Sequence, residues 1–274
     1  MKFFIVTSAQ TLDLLYTYNL TFKEALRLPF KPNILISFIE FYNSKKTFRY
    51  IEMLKQQTNI FLVDSGAFSF MNNPHLSKKI SLDTYVEKYA QFLRDYEIPY
   101  FFEMDVDSVT GYQKVIEYRN FIERVTHKQS IPVWHKNRGL DEYKRMIERY
   151  RVVALGGIVI KEIKLPQENG LLNSLTLMAH EKNVWVHGLG IGVRALRNKY
   201  FFDSTDACYE FAFRKFRAYW YYDANKKVIT KRYRGLRIMD KDKAYMLELE
   251  NVGKVAKQLM KLDKNPQLTE LRRL

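Results

Sequence analysis

Asn59 to Asp64 reads NIFLVD, and Ser65-Gly66-Ala67-Phe68-Ser69 follows it. An apolar run closed by an acid and a glycine is a strand buried on both faces that ends in a tight turn. The pattern recurs at Asn33–Phe41 (NILISFIEF), Pro99–Asp105 (PYFFEMD), Ile131–His135 (IPVWH), Val152–Val159 (VVALGGIV), Asn183–Leu189 (NVWVHGL) and Tyr200–Asp203 (YFFD). Amphipathic stretches between these runs predict helices at Thr47–Gln57, Ser81–Tyr96, Tyr112–Thr126, Leu140–Tyr150, Leu171–Glu181 and Val193–Lys199. Strands alternating with helices imply a parallel sheet covered on both faces. An open doubly wound sheet would carry a glycine-rich phosphate loop after its first strand, and none is present. Polar residues gather instead at the carboxyl ends of the strands. That distribution predicts an α/β fold of the (β/α)8 TIM barrel type, with an irregular first or last strand.

The chain has 274 residues, enough for one large domain. Its texture changes after Asp206. Phe211 to Tyr222 interleaves aromatics with Arg214, Lys215 and Arg217, and Lys226, Lys227, Lys231, Arg232 and Arg234 follow. From residue 211 onward, 17 Lys and Arg face 7 Asp and Glu, which places +10 of the net charge of +15 there. The expected organisation is a catalytic barrel over residues 1–210 and a basic, aromatic-rich segment over 211–274. A last helix at about Lys243–Leu262 would pack that segment on the barrel. Such a charge suits a polyanion, because Lys and Arg release counterions from phosphates. The eight basic residues just named are therefore candidate nucleic-acid contacts, or a face turned to water. The single cysteine, Cys208, excludes an internal disulfide and a zinc site built on several thiolates. The apolar start at Met1–Val6 is too short for a signal peptide, and no segment approaches a membrane span. The expected location is the cytoplasm, that of an infected host if the gene is viral.

Five strand ends carry candidate chemistry. Asp64 stands where a barrel strand delivers a side chain to the pocket, with Ser65, Gly66 and Phe68 beside it; it could also cap its own turn. Glu103, Asp105 and Asp107 alternate, so in a strand they would share a face. They could hold a metal, read a polar ligand or cap the next helix, and Asp105 is the best ligand contact. Gly156 and Gly157 expose backbone to a flat ligand or ease a barrel corner. His187-Gly188-Leu189-Gly190 resembles a phosphate loop that lacks its lysine. Asp203 follows Phe201-Phe202 and would complete a carboxylate pair with Asp64, or cap a helix near Ala207. Two carboxyl groups across a glycosidic carbon are the arrangement of retaining glycosidases. His135 and His187 line a pocket or are satisfied inside the barrel.

In this order the pieces resemble the guanine transglycosylase superfamily, over about residues 58 to 210. The strings at 64–69, 132–135, 187–190 and 203–205 look most like its phage and bacterial branch that modifies DNA. Ala67 and Ser69 depart from the tRNA enzymes, and the three-cysteine zinc subdomain of those enzymes is missing. The resemblance implies exchange of guanine in DNA for a 7-deazaguanine base of the nitrile-bearing or amidinated kind. Asp203 would be the nucleophile on C1′ of a flipped-out nucleoside, and Asp64 would shuttle the proton. Asp105, Ser65, Gly66, Phe68, His135, Gly156, Gly157, His187 and Gly188 would bind the base. Neither metal nor redox cofactor would be needed, and a homodimer is possible. The competing expectations are base exchange on tRNA, a non-catalytic nucleic-acid-binding barrel, and a metal-dependent barrel hydrolase built on Asp64, Asp105, His135 and His187.

Overall fold

The computed structural model describes residues 2–72, 80–157, 162–163, 169–191, 200–207, 218–222, 228–232, 245–246, 249–250 and 252–257. Seven parallel strands form one sheet: β1 (Lys2–Thr7), β2 (Asn33–Ser37), β3 (Ile60–Asp64), β4 (Val133–Trp134), β5 (Val152–Leu155), β6 (Trp185–Gly188) and β7 (Ser204–Ala207). Their order is β3-β2-β1-β7-β6-β5-β4. The two edges meet through residues 101–102, where Val63 bridges Phe101 and Phe102 bridges Ile131, both in parallel. Phe102 N donates to Val63 O at 3.0 Å, and Glu103 N donates to Ile131 O at 3.1 Å. The ring is thus closed with eight staves in chain order, and helices flank it. This is the (β/α)8 barrel that the alternation predicts.

Side chains divide by the twofold period of a strand. Phe4, Leu35, Leu62, Phe102, Ile131, Val133 and Ala154 fill the barrel interior. The intervening residues, among them Phe3, Ile5, Ile34, Phe61, Val63, Val153 and Val186, pack outward against the helices. The helix Leu82–Asp95 buries Tyr85, Val86, Tyr89, Ala90, Phe92 and Leu93, a stripe that repeats at helical spacing. Its Tyr89 hydroxyl donates to Phe102 O at 2.9 Å, tying the helix to the shortest stave.

That stave departs most from its expected form. PYFFEMD predicts a full strand, yet only two bridges form, because the chain turns away after Glu103. Side chains complete the seam. Glu103 is fully buried, and its Oε1 accepts the Val133 N–H at 2.9 Å. Arg138 donates to Val133 O and to Glu103 Oε1 at 2.7 Å. Arg119 donates to Glu103 Oε2. A carboxylate and a guanidinium thus take the places of a ladder carbonyl and amide.

Two further boundaries move. NILISFIEF stops as a strand at Ser37 and becomes a short 3-10 turn at Phe38–Glu40. The turn aims Glu40 Oε2 at Ala9 N, 2.8 Å away, the first residue of the helix Ala9–Thr17. YFFD is not a strand: the last stave is Ser204–Ala207, in register with β1 from Lys2. Tyr200 and Phe202 are apolar because they pack into the outer core. The helix expected at Val193–Lys199 lies outside the described residues.

Beyond the barrel, Ala218–Tyr222 (β8) and Val228–Arg232 (β9) form an antiparallel hairpin. The described residues of the last expected helix are helical, and Tyr245, Leu249, Val252, Val255 and Ala256 join the outer core. Tyr245 Oη lies 2.6 Å from Thr11 Oγ1. A Cβ on Gly253 would stand 1.9 Å from Leu26 O, so the helix seats there only through a glycine. Among the described residues no helix is long and apolar enough to cross a membrane.

The seam makes a direct prediction. Glu103→Ala leaves two buried guanidinium groups and the Val133 N–H without their acceptor, which costs roughly 3–5 kcal/mol. Chemical denaturation of the variant reads it, and a loss below about 1 kcal/mol would refute the role of the seam.

Candidate active site

Inward-facing positions at the carboxyl ends of the strands bring Asp64, His135, Gly156 and Asp206 to one end of the barrel, the mouth, with His187 one layer deeper in the interior. Asp64 ends β3. Its Oδ2 accepts the Gly66 N–H at 3.0 Å, in a turn that needs Gly66 at φ +85°. A Cβ on Gly66 would meet the Tyr85 hydroxyl at 2.5 Å, so the glycine also admits the tyrosine that bonds Ser65 O. Ser65 is buried, and Phe68 is half exposed on the following helix. Burial raises the Asp64 pKa to about 7, helped by repulsion from Asp105 and, more weakly, Asp206. The Gly66 amide and the nearby Ser37 hydroxyl oppose the shift. Asp64 therefore exchanges its proton near neutrality.

Asp105 follows the short stave. Burial raises its pKa against the pull of His135. His135 Nε2 lies 3.2 Å from Asp105 Oδ2, and His135 Nδ1 lies 3.1 Å from Glu162 Oε2. Burial alone would lower the His135 pKa, but its two carboxylate partners raise it to about 9. At neutral pH it is an imidazolium that donates from both nitrogens. Burial would raise the Glu162 carboxyl, but His135 and the Asn137 N–H, 2.7 Å from Oε1, hold it below its usual value.

The two glycines after β5 serve this pair. A Cβ on Gly156 would meet His135 Cε1 at 3.0 Å, and one on Gly157 would meet Glu162 Oε2 at 2.7 Å. Gly157 also sits at φ +81°. They clear room for the imidazolium and its acid. Gly188 does the same for Ile191 and Phe202. Glu103 and Asp107 do not share the mouth with Asp105. Glu103 is spent on the seam, and Asp107 pairs with Arg138 through two bonds of 2.7 and 2.6 Å. Asp107 begins the helix Asp107–Thr110 without capping it, because the cap position is Val106.

The expected carboxylate pair is corrected. Asp203 precedes β7, at the amino end of the barrel, whereas Asp64 is at the carboxyl end. Asp203 Oδ2 accepts from Val186 N at 2.7 Å and contacts His180 Nε2 at 2.9 Å, outside the barrel interior. The reason is parity: β7 turns Ser204 and Asp206 inward, so Asp203 falls out of phase. Asp206 is the acid that reaches the mouth. Its Oδ1 accepts the Gly190 N–H at 2.8 Å and contacts His187 Nε2 at 3.1 Å. Sequence reasoning passed over Asp206, three residues after Asp203, and over Glu162, whose signal is an acid shortly after a double-glycine strand end. Arg214, Lys215, Arg217, Lys226, Lys227 and Arg234 lie outside the described residues, and Lys231 and Arg232 are described only as backbone in β9. Among the described residues no cluster of three or more His, Cys, Asp or Glu could hold a metal ion.

No protein-family model matches the chain, and no curated protein matches it. It is similar in fold to a protein from Coccidioides immitis described as a candidate fructose-1,6-biphosphate aldolase, with TM-score 0.55 and 7% identity over 97% of this chain and 90% of that one. It is also similar to the YdjI aldolase of Escherichia coli K12, with TM-score 0.51 and 8% identity over 95% and 90%. At these identities the likeness is one of fold. Aldolases rather than transglycosylases stand beside the chain, and no family model supports the motif resemblance, so the guanine transglycosylase reading is overturned. Its tRNA form, the binding-only barrel and the metal-dependent hydrolase go with it. The expectations of DNA and of a 7-deazaguanine co-substrate drew their detail from that resemblance.

A stability test follows from Asp64. Its folded-state pKa is raised above the usual 3.8, so the protonated form favours folding at low pH, and that stability is lost as pH rises towards about 7. Asp64→Asn removes the penalty. It should raise the Tm at pH 8 by about 4–8 °C, on the order of 2 kcal/mol, and leave it nearly unchanged at pH 4. Calorimetric scans at the two pH values check this; equal shifts at both would contradict it.

Proposed function

We propose that the mouth is an acid–base site of an aldol-type lyase acting on a small hydroxycarbonyl compound. The carrying observation is that burial pushes the Asp64 carboxyl up to about 7 within electrostatic reach of Asp105, the acid that meets the His135 imidazolium, which its two carboxylate partners hold up to about 9. Paired groups with separated pKa values are how one site runs acid and base chemistry at neutral pH. The aldolases of similar fold agree with this class, as fold analogy only.

In the cleavage direction, the Asp64 carboxylate takes the proton of the substrate's β-hydroxyl. The hydroxyl carbon becomes a carbonyl, the adjacent carbon–carbon bond breaks, and its electron pair moves towards the substrate's other carbonyl as an enolate. That oxygen replaces Asp105 as the acceptor of the His135 Nε2–H, so the imidazolium stabilises the growing negative charge. Asp64 then returns its proton to the enolate carbon. Glu162 holds His135 by the other nitrogen and fixes the ring. Asp105 and Asp206 accept hydrogen bonds from substrate hydroxyls. A mouth this rich in carboxylates favours a reacting end with hydroxyls and no negative charge.

Proton exchange at the α-carbon is the most general readout, because it needs only one half of the reaction. Dihydroxyacetone in D2O should lose its α-proton NMR signal faster with the protein than without it. The rate should rise with an apparent pKa near 7 and fall near 9. Asp64→Asn should lower it by roughly 10²–10⁴-fold. Absence of exchange with dihydroxyacetone, hydroxyacetone and C4–C6 ketoses alike, or exchange untouched by Asp64→Asn, would refute the proposal.

A further inference from the structure

The opposite end of the barrel holds a cavity that the mouth chemistry does not use. It measures about 250 Å³ and is lined by the first inward residues of the strands: Phe4, Ile60, Leu62, Ile131 and Val152, with Tyr100. This wall is almost wholly apolar. Three polar groups break it. Lys2 Nζ stands 5.1 Å from the centre of the Trp185 ring at the rim. It has no carboxylate within ion-pair distance among the described residues. Ser204 and His187 lie deeper and are both 98% buried. Trp185 Nε1 donates to Ser204 Oγ at 2.9 Å, and Ser204 Oγ lies 2.8 Å from His187 Nδ1.

These bonds order the deep polar groups. Indole nitrogen can only donate, so Ser204 Oγ accepts from Trp185; the Asp206 carboxylate at His187 Nε2 favours a proton on that nitrogen, which leaves Nδ1 to accept from Ser204. The other ring nitrogen then carries the proton that meets Asp206 Oδ1 at 3.1 Å. The deep polar groups are satisfied by one another. The rim ammonium is what remains unneutralised.

A dry cavity of about 150 Å³ lined by aliphatic and aromatic groups holds a benzene ring. The volume here fits a ring with a one- or two-carbon arm. We infer that the amino end of the barrel binds a small aromatic carboxylate, its ring between Phe4, Leu62 and Val152 and its carboxylate on Lys2 beside Trp185. Ammonium, indole and apolar wall together match an anion carried on a flat apolar body, and neither a sugar nor a dianion. The site is separate from the mouth, and its occupancy does not depend on the reaction that occurs there.

Isothermal titration calorimetry of the full chain with phenylacetate tests this, with phenylacetamide as the uncharged control. Phenylacetate should bind saturably at one site. Lys2→Met should weaken phenylacetate by about tenfold or more and leave phenylacetamide within about twofold, the usual size of a charge-assisted contact. Val152→Phe should fill the cavity and remove binding of both. Because a larger residue there could disturb the barrel, Ile60→Phe at the rim serves as a second filling variant, with circular dichroism confirming the fold of each. Failure of phenylacetate to saturate at millimolar concentration would overturn the inference. So would equal loss of both ligands in Lys2→Met, or unchanged affinity in a folded filling variant. α-Proton exchange at the mouth is measured separately, so its failure is distinguishable from failure here.

Discussion

Val133 makes the ladder bonds of its seam to side chains. Its N–H goes to Glu103 Oε1, and its carbonyl takes Arg138. The eight-stave ring closes through this ionic stitch, because residues 101–102 supply only two bridges. The arrangement has consequences for everything above it. Arg138, held by Glu103, reaches Asp107 with a two-point grip. That grip pins the loop carrying Asp105, and Asp105 in turn meets His135. A buried ion cluster of this kind is a poor source of net stability, since desolvation cancels much of the attraction. Its value is geometric: a guanidinium fork and a carboxylate hold fixed directions, and the mouth inherits them.

The mouth concentrates carboxyl groups from separate strands in a small volume. Asp105 and Glu162 hold the His135 imidazolium between them, Asp64 lies within electrostatic reach of Asp105 and Asp206, and Arg138 is spent on Glu103 and Asp107. Charge of one sign in a water-poor space is relieved by protonation, and the group with the fewest compensating partners is protonated first. Glu162 has His135 and an amide. Asp105 has His135. Asp64 has only neutral partners among the described residues, the Gly66 amide at 3.0 Å and the nearby Ser37 hydroxyl, so burial dominates and pushes its pKa up to about 7. The proton-exchanging group is thus selected by what its neighbours already have.

Much of the fold is legible in the sequence, because burial on both faces writes itself as an apolar run. Ile60–Asp64 and Tyr112–Thr126 fall within a residue of their expected limits. Runs that mislead do so for a physical reason. Tyr200 and Phe202 are apolar for the outer core, and only pairing with β1, two hundred residues away, shows that the strand starts at Ser204. Choosing Asp203 over Asp206 has the same origin, since parity depends on a register that local sequence does not carry. Asp64, Asp105 and His135 stand at the strand ends where the sequence puts them, while His187 stands one layer deeper in the interior. Their order nevertheless fails to identify a family, because acids and glycines at the carboxyl ends of strands are features that barrels of many functions share. The seam was invisible for a different reason: Glu103 and Arg138 are 35 residues apart and join through a bond that no periodicity signals.

His187 links the two ends of the barrel. It stands in the apolar interior beside Phe4 and Phe102, with ring centroids 5.8 and 5.4 Å away. A polar side chain there is tolerated only if both nitrogens are satisfied. Ser204 below and Asp206 above satisfy them, and the direction is favoured from both ends, because Trp185 can only donate and a carboxylate can only accept. The line Trp185–Ser204–His187–Asp206 therefore passes N–H and O–H dipoles towards the mouth. Asp206 receives them together with the Gly190 N–H. The group that adds negative field at Asp64 is thus supported by a polar thread rooted in the opposite opening.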